Sequence, residues 1–149
     1  MTIEGEIYRE LQRRAREAGR STAEFMTLYV LEGFLSRVAQ SQFREQLVLK
    51  GGVLLAAWNA RRPTRDIDFA ALGTSNETKY VLDACCTIAS ISQADGITFD
   101  VASAAAIIIR DDDEYSGVRV SMMARIATAQ ITFHIDVNVG VQSNPVQSR

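Results

Sequence analysis

Residues 132–139, TFHIDVNV, alternate polar and apolar without interruption: Thr132, His134, Asp136 and Asn138 against Phe133, Ile135, Val137 and Val139. A period of two is that of a strand with one face buried, so all four apolar side chains emerge together. A slip of one residue would turn His134 and Asp136 into the core, which fixes the register. The strand suits a central position in a sheet, yet it carries a carboxylate on its polar face. Such a group is costly unless it is paired or bound to metal. The plainer alternative is a strand-end aspartate hydrogen-bonded to a turn.

A second acidic strand precedes it. In DIDFA, residues 66–70, Asp66 and Asp68 share one face, and Ile67 and Phe69 share the other. Two carboxylates side by side make a poor core and a good site for a hard divalent cation, which takes oxygen ligands and keeps positions open for phosphate. Thirteen residues separate Asp66 from the pair Gly51-Gly52. Lacking Cβ atoms, these glycines let backbone N–H groups approach phosphate oxygens. The apolar segment VLLAAW that follows reads as a helix whose N-terminus favours an anion. Taken singly, the Gly pair reads as a tight turn and the Asp pair as a solvated strand end. Together with Asp136, they point to metal-assisted nucleotidyl transfer, with Mg²⁺ or Mn²⁺ as the cofactor.

The rest of the chain reads as one mixed α/β domain with helices first. Ile7, Leu11, Ala15 and Ala18 recur at helical spacing before Gly19. Ser21 and Glu24 make a capping-box pattern ahead of a more buried helix marked by Phe25, Leu28, Leu31 and Leu35. Arg61-Arg62-Pro63 breaks the VLLAAW helix and turns the chain into the DID strand. Asn76 is placed to cap a helix carrying Tyr80, Val81, Cys85, Ile88 and Ile91 and ending near Gly96. Strands are expected at 97–109, 117–127 and 129–139, with the acidic run 111–114 as a solvated hairpin loop.

Composition excludes some classes. A net charge of −2 argues against a surface coated in basic residues for non-specific nucleic-acid binding. Of 16 cationic side chains only Lys50 and Lys79 are lysines. Cys85 and Cys86 are adjacent in a helix, so they diverge and read as reduced thiols. The acidic N-terminus and the absence of a long apolar run imply a soluble, cytoplasmic protein with no membrane partner.

The string Lys50-Gly51-Gly52, Leu55, Arg62, Thr64, Asp66, Asp68 resembles the signature KGG-x-x-L … R-x-T-x-D-I-D of the AbiEii/AbiGii nucleotidyltransferase toxins, relatives of DNA polymerase beta. The likeness spans roughly residues 45–140 and is specific in that first motif. It implies a mixed-sheet nucleotidyltransferase core, a divalent metal, a nucleoside triphosphate donor, an RNA acceptor (the 3′ end of tRNA), and a cognate antitoxin. It makes Asp66, Asp68 and Asp136 the metal-binding and catalytic residues, and Lys50, Gly51, Gly52, Arg62 and Thr64 the nucleotide-binding ones. Thr64 is also a position where an antitoxin's modification would silence the enzyme. In place of a lysine often found two residues before the third acid stands His134, which either bonds phosphate or covers the strand.

The expected organisation is a domain over 1–140, with N-terminal helices to 46 and a catalytic core over 47–140, followed by a polar tail over 141–149. The helical half that the resembled family carries beyond the third acid has no counterpart here. The function expected is transfer of a nucleoside monophosphate to tRNA, which blocks translation. Two alternatives stay open: a catalytically incomplete nucleotide- or partner-binding fragment, and a metal-dependent nuclease.

Overall fold

The computed structural model describes residues 2–49, 65–71, 77–111 and 114–138. Lys50, Gly51, Gly52, the VLLAAW segment with Trp58, Arg62, Pro63, Thr64, Asn76 and the polar tail lie outside the described residues.

Two helices open the chain, α1 (Ile3–Ala18) and α2 (Thr22–Gln40). The Thr2 hydroxyl caps α1 by accepting from the Gly5 N–H, and Gly19 closes it at φ 68°, a left-handed conformation that glycine adopts without steric cost. The Ser21 hydroxyl accepts from the Glu24 N–H, as the capping pattern requires. Glu24 itself turns to Arg20 in an ion pair. Phe25, Leu28 and Leu31 are buried as expected, and Leu35 is only partly so because the buried stripe runs through Val30, Phe34, Arg37 and Val38 instead.

The sheet follows: β1 (Leu47–Leu49), β2 (Asp66–Ala71), a helix α3 (Thr78–Ala89), then β3 (Ile97–Asp111), β4 (Glu114–Ile126) and β5 (Ala129–Asn138). Its order is β1-β2-β5-β4-β3. β2 and β5 pair in parallel and the other neighbours are antiparallel, so this is the mixed sheet expected from the sequence. The last of the described strands in sequence, β5, therefore occupies the centre.

Three boundaries differ from the sequence reading. The N-cap of α3 is Glu77, with no side-chain cap bond, and the helix stops at Ala89. The Ser90 N–H bonds back to the Cys86 and Thr87 carbonyls, and the Ile91 N–H to the Ile88 carbonyl, so the chain leaves the helix well before Gly96. The β3–β4 ladder runs to Asp111 opposite Glu114, so the two ends of the acidic run belong to the strands, and Asp112 and Asp113 lie outside the described residues. Registry is lost only between Asp100 and Ala105 and beside Ile109. At the first of these shifts the Ser103 hydroxyl donates to the Asp100 carbonyl and accepts from the Met123 N–H, which replaces the missing ladder bonds.

One face of the sheet is apolar throughout. Ile67 and Phe69 of β2, Val118, Val120, Met122, Ala124 and Ile126 of β4, and Ile131, Phe133, Ile135 and Val137 of β5 are buried with residues of α1, α2 and α3 in one core. At its centre Phe34, Phe99 and Phe133 meet with ring centroids 5.6 to 6.0 Å apart, tilted or edge-on, the geometry aromatic quadrupoles prefer. The alternation of β5 thus leaves His134 and Asp136 on the opposite face.

Arg37 is buried inside this core, 2% exposed. Its guanidinium donates to both oxygens of Asp95 at 2.8 and 3.1 Å, to the Ile91 carbonyl at 2.8 Å and to the Gly33 carbonyl at 2.9 Å. It also lies 4.8 Å from the Phe99 ring centroid. Asp95 in turn accepts from the Ile97 N–H and the Gln93 amide, and its carbonyl accepts from the Tyr29 hydroxyl. The network ties α2 to the turn that leads into β3.

Neither cysteine is in a disulfide. Burial pushes the Cys85 thiol up to about 12, and burial also raises Cys86, which is less enclosed. At pH 8 a maleimide should therefore modify Cys86 slowly and Cys85 only after denaturation. Equal labelling rates for the two in the folded protein would contradict this burial. The sign for stability follows: the Cys85 contribution is intact below the unfolded thiol's pKa, about 8.5, and is lost as the pH rises from there towards 12.

Candidate functional site

The polar face of the sheet gathers the three predicted carboxylates. The parallel pairing of β2 with β5 sets Asp66 opposite His134 and Asp68 opposite Asp136. Within each strand the two residues are two apart and so share a face, while Ile67 and Ile135 between them point into the core. The His134 N–H donates to the Arg65 carbonyl at 2.9 Å, which starts the ladder at the mouth of the site.

The contacts on this face are charge-assisted. His134 Nδ1 lies 2.9 Å from Asp66 Oδ1, within reach of a hydrogen bond in which the tautomer protonated at Nδ1 donates to the carboxylate. The contact brings the imidazole and the Asp66 carboxylate together across the β2–β5 pair. Asp136 is held more firmly: Arg119 of β4 donates from Nε to Oδ1 at 2.8 Å and from Nη2 to Oδ2 at 2.9 Å. The same Nη2 stands 3.7 Å from Asp66 Oδ2. Antiparallel pairing places Arg119 directly beside Asp136, so the fork needs no distortion to close. The hydrogen bond to Asp136, reinforced by the charges of Asp136, Asp66 and Asp68, raises the Arg119 pKa well above its ordinary value. The guanidinium is a permanent cation.

Sequence reasoning found the acids and missed Arg119. It anticipated a strand over 117–127 but did not single out any side chain on its polar face. The signal was present: Val118, Val120, Met122 and Ala124 are apolar, so Arg119 had to share the other face with whatever carboxylates the neighbouring strand presented. The second alternative for Asp136, a turn-bonded strand end, is replaced by this pairing in the ladder. The residues that sequence reasoning assigned to the nucleotide, Lys50, Gly51, Gly52, Arg62 and Thr64, lie outside the described residues.

The donor set is that of a divalent-cation site in kind. Asp66, Asp68 and Asp136 offer oxygen only, and the Asn138 Oδ1 on the same face is buried with no hydrogen-bond partner among the described residues. This chemistry fits a hard ion such as Mg²⁺ or Mn²⁺. As the side chains stand, no three His, Cys, Asp or Glu groups among the described residues converge on one point. Both oxygens of Asp136 are given to Arg119.

Close backbone approach supports this part of the sheet. A Cβ at Gly117 would stand 2.5 Å from the Val137 carbonyl oxygen. Gly117→Ala should therefore push β4 from β5 two residues before Arg119, at a cost of about 1–3 kcal/mol. Chemical denaturation measures it, and an unchanged midpoint would mean that the strands shift without cost.

A mixed five-stranded sheet with helices on its apolar face is the architecture of a nucleotidyltransferase-like core. The comparison of the sequence with protein families makes this specific. Residues 33–149 match the family model for the nucleotidyl transferase AbiEii toxin, type IV TA system, and the chain belongs to that family. No curated protein matches it. Among the described residues no helix is long and apolar enough to cross a membrane.

Proposed function

We propose that this nucleotidyltransferase toxin transfers a nucleoside monophosphate from a nucleoside triphosphate to RNA, at the 3′ end of tRNA, and so blocks translation in the cytoplasm. The observation that carries the reading is the single acidic face shared by Asp66, Asp68 and Asp136 across two parallel strands. Bound Mg²⁺ or Mn²⁺ would supply charge neutralisation at the transferring phosphoryl group and activation of the acceptor hydroxyl. Asp66 and Asp68 would hold it on the nucleotide side, and Asp136 on the acceptor side. The acceptor 3′ oxygen attacks the α-phosphorus, its proton passes towards Asp136, and pyrophosphate leaves. Backbone amides at Gly51-Gly52 would cradle the triphosphate, with Lys50, Arg62 and Thr64 bonding its oxygens. His134 keeps Asp66 oriented throughout. An antitoxin is the regulatory partner that a type IV system implies.

A second reading draws on one specific observation. With Asp136 enclosed by Arg119, the chain resembles a nucleotide-binding fragment that persists without chemistry. Incubation of the purified chain with labelled nucleoside triphosphates, total tRNA and Mg²⁺ separates the two. Extended RNA supports transfer. Bound nucleotide without product supports the binding fragment, and shortened RNA would replace both with a nuclease.

A further inference from the structure

The proposed metal site already contains a cation. Arg119 places a guanidinium between Asp136, which it holds bidentately at 2.8 and 2.9 Å, and Asp66, 3.7 Å from the nearer nitrogen. The arrangement is built into the sheet, because Arg119 and Asp136 are direct ladder partners on adjacent central strands. Asp136 is only 17% exposed, so its partner does much of the work that water would otherwise do. Arg119 itself is 35% exposed, which gives its long side chain room to swing outward.

We propose that Arg119 is the resident counter-ion of this acidic face and competes with the divalent metal for Asp136. Given the metal-binding reading above, on which this rests, the metal must displace the guanidinium: its arrival at Asp136 opens the fork. Without the metal, the fork keeps three mutually repelling carboxylates together on one face and spares the apo fold that strain. With the metal, the same face is neutralised by a stronger point charge, and the guanidinium is released to solvent or to substrate phosphate. Arg119 is thus a positioning residue for the empty site and a gate on its loading.

The test is metal affinity, not turnover. Mn²⁺ binding to the intact chain, followed by calorimetry and by the electron paramagnetic resonance of free Mn²⁺, should tighten in Arg119→Met by about ten- to a hundredfold, the range that loss of a competing charge-assisted hydrogen-bonded pair allows. Arg119→Lys, which keeps the charge and loses the fork, should fall between it and the parent chain. Asp136→Asn, measured alongside, should weaken Mn²⁺ binding. If Asp136→Asn weakens binding while Arg119→Met leaves it equal or weaker, competition is wrong and the metal site stands. If Asp136→Asn changes nothing, Asp136 is no ligand, and the metal reading falls together with the competition. The parent chain gives a readout independent of any variant's folding. Diamagnetic Mg²⁺ should shift the Arg119 Nε–H resonance and speed its exchange with water, and an Nε–H signal unmoved at saturating Mg²⁺ would show that the fork stays closed and the inference is wrong.

Discussion

Asp68→Asn should reduce nucleotide incorporation by at least about a hundredfold, the usual cost of losing one preorganised charge at a phosphoryl-transfer site, while leaving the fold in place. Asp68 is exposed on the polar face, in register with Asp136 and two residues from Asp66. It therefore adds negative charge to a surface that holds two other carboxylates and has Arg119 as counter-ion. Removing that charge relieves repulsion in the metal-free chain, so stability should stay within about 1 kcal/mol of the parent or rise slightly. Thermal denaturation and an incorporation assay on the same preparation give both quantities. Full turnover in the variant would take Asp68 out of the proposed mechanism. A large drop in melting temperature would show instead that its role is in the fold.

The largest effect on stability is expected at Arg37. Arg37→Met keeps much of the apolar stem but strips Asp95 of two charge-assisted bonds in a setting where Asp95 is itself only 15% exposed. Breaking such a pair typically costs about 3–5 kcal/mol, because the remaining charge has no counter-ion. For a domain of this size, that lowers the melting temperature by about 10 °C or more. The double variant Arg37→Met, Asp95→Asn should recover part of the loss, since the orphaned charge is gone. A single variant within about 1 kcal/mol of the parent would mean that water or a rearranged turn replaces Arg37.

These two residues mark the limits of what the sequence made legible. Asp68 was readable because its evidence is local: the alternation of DIDFA fixes the faces, and the motif that surrounds it is short. The same holds for β5, whose strict period of two placed His134 and Asp136 correctly before any partner strand was known. Arg37 and Arg119 belong to another category. Each is one arginine among many, and each acquires meaning only from a carboxylate distant in sequence: Asp95 comes 58 positions after Arg37, and Asp136 comes 17 after Arg119. Strand order and register decide those meetings. Arg37 did leave a trace, since it falls on the same helical stripe as Val30, Phe34 and Val38, where a charge calls for a buried partner. The early end of α3 left a weaker one. Ile91 continues the helical spacing, but its N–H bonds to the Ile88 carbonyl in a turn, and Asp95 is then drawn to Arg37.

The central place of β5 sets when in the life of the polypeptide a toxic activity can exist. During synthesis β2, β3 and β4 are complete while β5 has yet to emerge, and in the finished sheet β2 and β4 share no backbone ladder, because β5 lies between them. A nascent chain at that stage has Asp66 and Asp68 but neither Asp136 nor the parallel ladder that aligns them. Parallel pairing across such a long stretch of chain is also slow, since the entropy of closing the loop is spent before the contact is made. The shared acidic face is thus assembled only once β5 has been made, and a product interrupted before β5 carries Asp66 and Asp68 without the partner strand that sets Asp136 beside them.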